Sequence, residues 1–149
     1  MIGRWRGRGF GKRDPERVPA KRFRQAADER WKDARCLHDN QRFEGAIYLC
    51  GYVLECFLKF ARCELTNRHS MELREARRWS HNLVELLEAC GLGAALERNR
   101  DLQVAFARIN DRWSPQMRYS GQASDETTCA SFLRDTKDLR NWLQTQLRP

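Results

Sequence analysis

One stretch constrains this chain more than any other. From Phe43 to Leu65 apolar residues return every three or four positions: Phe43, Ile47, Cys50, Leu54, Phe57, Ala61 and Leu65. That is the period of one helix face. Leu49, Val53 and Leu58 are apolar on other faces of the same helix. A helix that is apolar most of the way round must be central to its fold. Only Tyr48, Tyr52, Glu55, Lys59 and Arg62 form a polar or amphipathic stripe along it.

The surrounding pattern supplies partners for this helix. Phe23, Ala27, Trp31 and Ala34 predict a first helix from about Ala20 to His38. Downstream, Ser80 reads as an N-cap, with Leu83, Leu86, Leu87 and Cys90 behind it and Gly91 as a stop. A further helical stretch is expected from about Ala94 to Trp113, carrying Leu102, Phe106 and Ile109 and closed by Pro115. After a loop, Ser124 reads as the cap of a last helix, with Asp125 and Glu126 in its first turn. Phe132, Leu139, Leu143 and Leu147 mark its inward face. No segment alternates with the period of a strand. The expected fold is all-α, an up-and-down bundle of four to five helices. A chain of 149 residues with 41% hydrophobic content is enough for one such core.

Charge is distributed unevenly. Residues 1–24 hold seven Arg and two Lys against Asp14 and Glu16, a net +7, whereas the whole chain is +8. The basic character is therefore concentrated at the N-terminus, residues 25–149 being close to neutral, and the chain divides into a basic tail, residues 1–20, and a bundle, residues 21–149. In the tail, Arg4, Trp5, Arg6, Arg8, Phe10, Lys12 and Arg13 are interleaved with Gly. Arg pairs with phosphate and aromatic rings stack on unpaired bases, so these residues are candidate nucleic-acid contacts. The same composition also suits docking on an acidic partner protein, or a solvated tail with no specific role.

Met1 to Arg6 lack the apolar stretch of a secretory signal, and the apolar run from Ala46 to Phe60 is broken by Glu55 and Lys59. It is shorter than the roughly 20 residues that span a bilayer. The six cysteines form no Cys-x-x-Cys pair. They are expected to be reduced thiols within helices, in a cytoplasmic protein with no metal, cofactor or membrane association.

Glu55 and Lys59 lie at i, i+4, the favourable order for a helical ion pair. On so apolar a helix their charges need partners. Arg118 is expected to reach Glu55 from the loop and pin it to the bundle. Glu55, Lys59, Arg118 and Tyr119 then form either a buried fold-specifying network or a ligand or RNA pocket. His81, beside Ser80, reads as a helix-start contact.

These residues carry a family resemblance. Gly51-Tyr52-Val53-Leu54-Glu55-Cys56-Phe57-Leu58-Lys59 resembles the second-helix signature Gly-Tyr-x-x-Glu-x-x-Leu-Lys of the HEPN superfamily (higher eukaryotes and prokaryotes nucleotide-binding). His81-Asn82-Leu83, with Leu86 and Leu87, is similar to the family's His-x-Leu-x-x-Leu element. Trp113 through Arg118-Tyr119 resembles its aromatic-Arg-Tyr loop. The three matches come in the family's order across residues 20–147. The resemblance implies a helical bundle that usually dimerises with itself or with a partner. Members serve as RNase toxins, RNA-binding accessories or partners of a nucleotidyltransferase, often in toxin–antitoxin or antiviral systems.

The family's metal-independent nuclease pairs an Arg with a His a short spacer later, usually on the last helix. Here the last helix has no His; the histidines are His38, His69 and His81. Arg62…His69 and Arg74…His81 keep the spacing, each with six residues between, but lie elsewhere. The expectation is a non-catalytic binding module that contacts RNA or a partner protein, a nucleotidyltransferase among the partners the resemblance implies. The alternative is a ribonuclease with a displaced Arg/His site.

Overall fold

The computed structural model describes residues 15–148. The tail candidates Arg4, Trp5, Arg6, Arg8, Phe10, Lys12 and Arg13 lie outside them. The described chain is mostly helical. Strand β1 (Arg17–Pro19) leads into helix α1 (Ala20–Asp39), and after a short turn comes α2 (Phe43–Leu65). Strand β2 (Ser70–Glu72) runs directly into α3 (Leu73–Arg78), followed by α4 (Leu83–Ala89) and α5 (Gly93–Glu97). Helix α6 (Arg100–Arg112), a 3-10 turn (Pro115–Tyr119) and α7 (Glu126–Gln146) complete it. Among the described residues no helix is long and apolar enough to cross a membrane.

Helix α2 occupies the centre, as its apolar surface requires. It packs along α1, against α7 and against α4, while α6 lies on α7. Ile47, Leu54, Phe57 and Leu58 of α2 are fully buried, each contributing about 1.5–3 kcal/mol. From α1, Ala27 and Ala34 are fully buried, small residues that let the two helices approach. The α1–α2 turn bends at Gln41, which has φ 61°. At α1's end the Asn40 backbone and side-chain amides both donate to the Cys36 carbonyl, at 3.1 and 2.8 Å. On the far side of the bundle Arg108 reaches from α6 to α7, donating from Nε and Nη2 to both oxygens of the buried Asp135 at 2.8 Å each. Such a two-point charged contact fixes orientation as well as distance.

All six cysteines are free thiols. Burial pushes the Cys50 and Cys90 thiols up to about 12 and those of Cys56 and Cys129 to about 11. They fill space as small apolar groups. Cys36 alone is exposed.

The structure corrects several local expectations. Residues 17–19 belong to the folded domain and not to the tail, because Arg17, Val18 and Pro19 pair antiparallel with Glu72, Met71 and Ser70. The Ala20 amide donates to the His69 carbonyl at 2.8 Å, and the Leu73 amide to the Glu16 carbonyl at 2.8 Å. Three residues per strand are too few for alternation to register in sequence. The stretch from Ala94 to Trp113 is two helices: Asn99 breaks it by capping α6, accepting from the Leu102 amide at 3.1 Å. Helix α3, six residues long with Ala76 its one buried residue, is too short for a periodic pattern to announce it. Ser80 and Ser124 are not caps. Asn82 caps α4 through the Glu85 amide (3.0 Å), and Asp125 caps α7 through the Thr128 amide (2.7 Å). Ser124 instead bonds Glu44 and Arg112.

Candidate functional site

The second stripe of α2 organises the site. Glu55 and Lys59 point the same way one turn apart, and Lys59 Nζ donates to Glu55 Oε1 at 2.7 Å. The pair is buried, with residue exposures of 5% and 6%. The other carboxylate oxygen, Oε2, accepts the His81 backbone amide at 3.0 Å and faces His81 Nδ1 at 3.2 Å. One carboxylate thus holds a cation of its own helix and both the backbone and the ring of the α3–α4 turn.

His81 adopts φ 67°, a left-handed conformation that costs a residue with a side chain roughly 1–2 kcal/mol. The bonds to Glu55 offset it, and strain of this kind collects at sites that do something. The ring remains 35% exposed. With Nδ1 turned to the carboxylate, Nε2 is the nitrogen left for other partners.

Around this acid–base pair stands an aromatic cluster. The Tyr52 ring meets His81 edge-on at 5.7 Å and Trp113 edge-on at 5.2 Å, while His81 and Trp113 are 5.9 Å apart. Tyr48 and Tyr52 share a hydrogen bond between hydroxyls at 2.9 Å. Trp113 Nε1 donates to the Tyr48 carbonyl at 2.9 Å, locking the end of α6 onto α2. Burial raises the pKa of the Tyr52 hydroxyl, with the Tyr48 bond and the Glu55 carboxylate adding to it and Arg118 opposing. Tyr52 is therefore a neutral donor or acceptor at physiological pH.

Arg118 does not pair with Glu55. Both Glu55 oxygens are taken by Lys59 and His81, and the 3-10 turn sets the Arg118 guanidinium over the Tyr119 ring at 4.8 Å. Arg118 still bears on Tyr52 and Tyr48 electrostatically. It borders the site without entering its buried floor. Tyr119 is 77% exposed, the most exposed large hydrophobic side chain among the described residues.

Neither nuclease-spaced pair is joined by a hydrogen bond or ion pair among the described residues. Arg62 donates to the Ala89 carbonyl at 2.6 Å and lies over the Trp79 ring, ties that hold α2 to the α3–α4 region. His69 sits in the exposed connection between α2 and β2, and Arg74 is exposed on α3. His81 alone of these four enters the site. Sequence reasoning missed Tyr48, Tyr52 and Trp113 as its walls and His81 as the partner of Glu55. The signal for the tyrosines was available: Tyr48, Tyr52, Glu55 and Lys59 recur at 4, 3 and 4 residues on one helix face.

Comparison with family models, curated proteins and solved structures finds no match to this chain.

Proposed function

We propose that this chain is an HEPN-like helical module that binds single-stranded RNA at the mouth formed by Tyr52, His81, Arg118 and Tyr119, with Trp113 buried behind it. The Arg/Gly-rich tail is its second contact. On this reading it works beside a partner such as a nucleotidyltransferase in a prokaryotic toxin–antitoxin or antiviral setting. One observation carries the reading: an exposed Tyr119 with a guanidinium stacked on it, beside a cluster of aromatic rings floored by a buried charge pair. Exposed aromatic and guanidinium planes are what unpaired bases stack on. Arg118 adds a charge for phosphate, and the tail, net +4 over residues 1–14, adds long-range attraction.

The test is RNA binding by the full chain, by Arg118→Ala/Tyr119→Ala, and by a chain lacking residues 1–14. The paired substitution is expected to weaken binding by about 1–3 kcal/mol per lost stack. The truncation is expected to flatten the salt dependence by about 0.7 in log–log slope for each phosphate contact removed. Equal affinities for all three proteins would refute the reading.

A second reading has one observation in its favour. A carboxylate on His81 Nδ1 leaves Nε2 as a base at the protein surface, the arrangement a metal-independent ribonuclease needs to activate a 2′-hydroxyl. RNA cleavage by the purified chain that disappears in His81→Gln selects this reading over simple binding.

A further inference from the structure

We infer that a groove between α1 and α7, built from residues separate from the His81 mouth, holds the backbone of a single-stranded RNA. The inference rests on the RNA reading above and extends it to a second face of the bundle. The groove is lined by Trp31 and Arg35 of α1 and by Leu133, Arg134 and Lys137 of α7. Trp31 and Arg35 lie one turn apart, as do Leu133 and Lys137, so α1 offers one apolar and one cationic group to the channel and α7 one apolar and, with Arg134, two cationic groups.

The charges here differ from their neighbours. On the same helices Arg30 pairs with Asp33, Lys32 with Glu29, and Arg140 with Asp28, at 2.9, 2.9 and 3.1 Å. Arg35, Arg134 and Lys137 are exposed, and none has a salt-bridge partner among the described residues. No acidic side chain lines the groove. Asp135, next along α7, is turned away and held by Arg108. Three uncompensated cations around one channel create a local positive potential that an anionic partner neutralises.

The floor decides which anion fits. Trp31 and Leu133 are half-buried, leaving part of an indole open between the cations. A nucleic acid strand presents phosphates and flat base faces in alternation, matching cations and an exposed indole together. An acidic peptide matches the cations alone.

Binding of fluorescein-labelled oligouridylate to the full chain tests this, with circular dichroism to establish that each variant is folded. Arg35→Ala/Arg134→Ala/Lys137→Ala alters only exposed side chains. It is expected to weaken binding and to flatten the log–log salt slope by about 0.7 per lost phosphate contact. Trp31→Ala is expected to lose about tenfold in affinity with the slope unchanged, and Trp31→Phe, which keeps a ring, to recover most of it. If the triple variant binds like wild type while Arg118→Ala/Tyr119→Ala binds weakly, the groove proposal falls and the mouth stands. If wild type binds no oligouridylate, both fall. If polyglutamate binds as tightly as oligouridylate, depends on the three cations and ignores Trp31, the groove belongs to an acidic protein surface and the proposal is overturned.

Discussion

The backbone of Gly51 lies flat against the indole of Trp113: a Cβ at position 51 would stand 1.9 Å from the ring. Glycine inside a helix costs roughly 0.5–1 kcal/mol relative to alanine, so its place in the middle of α2 needs a reason, and the indole is that reason. Gly51→Ala should destabilise the domain despite its better helix propensity, by about 1–3 kcal/mol as overpacking typically does. Urea unfolding measures it. The substitution should also disturb the Trp113–Tyr48 bond and lower RNA affinity. A stabilised Gly51→Ala would mean that the indole does not sit there.

The Glu55–Lys59 pair gives a second expectation. Glu55→Ala leaves the Lys59 ammonium buried without its carboxylate and releases His81 from two bonds. Removing one partner of a buried pair costs about 3–5 kcal/mol. Replacing both, as Glu55→Leu/Lys59→Met, should restore most of the stability, since apolar groups of similar volume are tolerated where a buried pair stood. The double variant should still bind RNA poorly, because His81 has lost its anchor. A single variant no less stable than the double would contradict the burial of this charge pair.

A third expectation concerns pH. Arg68 donates from both terminal nitrogens to the Glu75 carboxylate at 2.9 and 2.8 Å. That bond holds the carboxyl below its ordinary value of 4.5, with partial burial opposing. A carboxyl depressed in the folded state stabilises above its unfolded value and loses that effect as pH falls through the lower folded one. Wild type should therefore exceed Glu75→Gln in urea midpoint at neutral pH. The gap should hold down to about 4.5 and close below it. A gap that widens in acid would reverse the assignment.

The sequence by itself determined the long helices. α2 runs from Phe43 to Leu65, where the apolar stripe begins and ends, and α1 starts at Ala20 as its pattern requires. A 3.6-residue period sustained over many turns leaves few alternatives, and burying such a stripe outweighs weak local preferences. The sequence also marked Glu55 and Lys59 as charges in need of partners. Who those partners are was decided by tertiary structure. Glu55 takes the amide and ring of His81, 26 residues away, because the α3–α4 turn lands on that face of α2 and His81 bends into a left-handed conformation there. Arg118, the partner its sequence position suggested, ends instead on Tyr119 at the rim. The β1–β2 pair was hidden for the same reason, whereas the caps at Asn82 and Asp125 are local bonds to amides three residues on. Periodicity reports which face of a helix is buried. Where a short turn comes to rest on that face depends on closing loops across the whole core, and no local pattern encodes it.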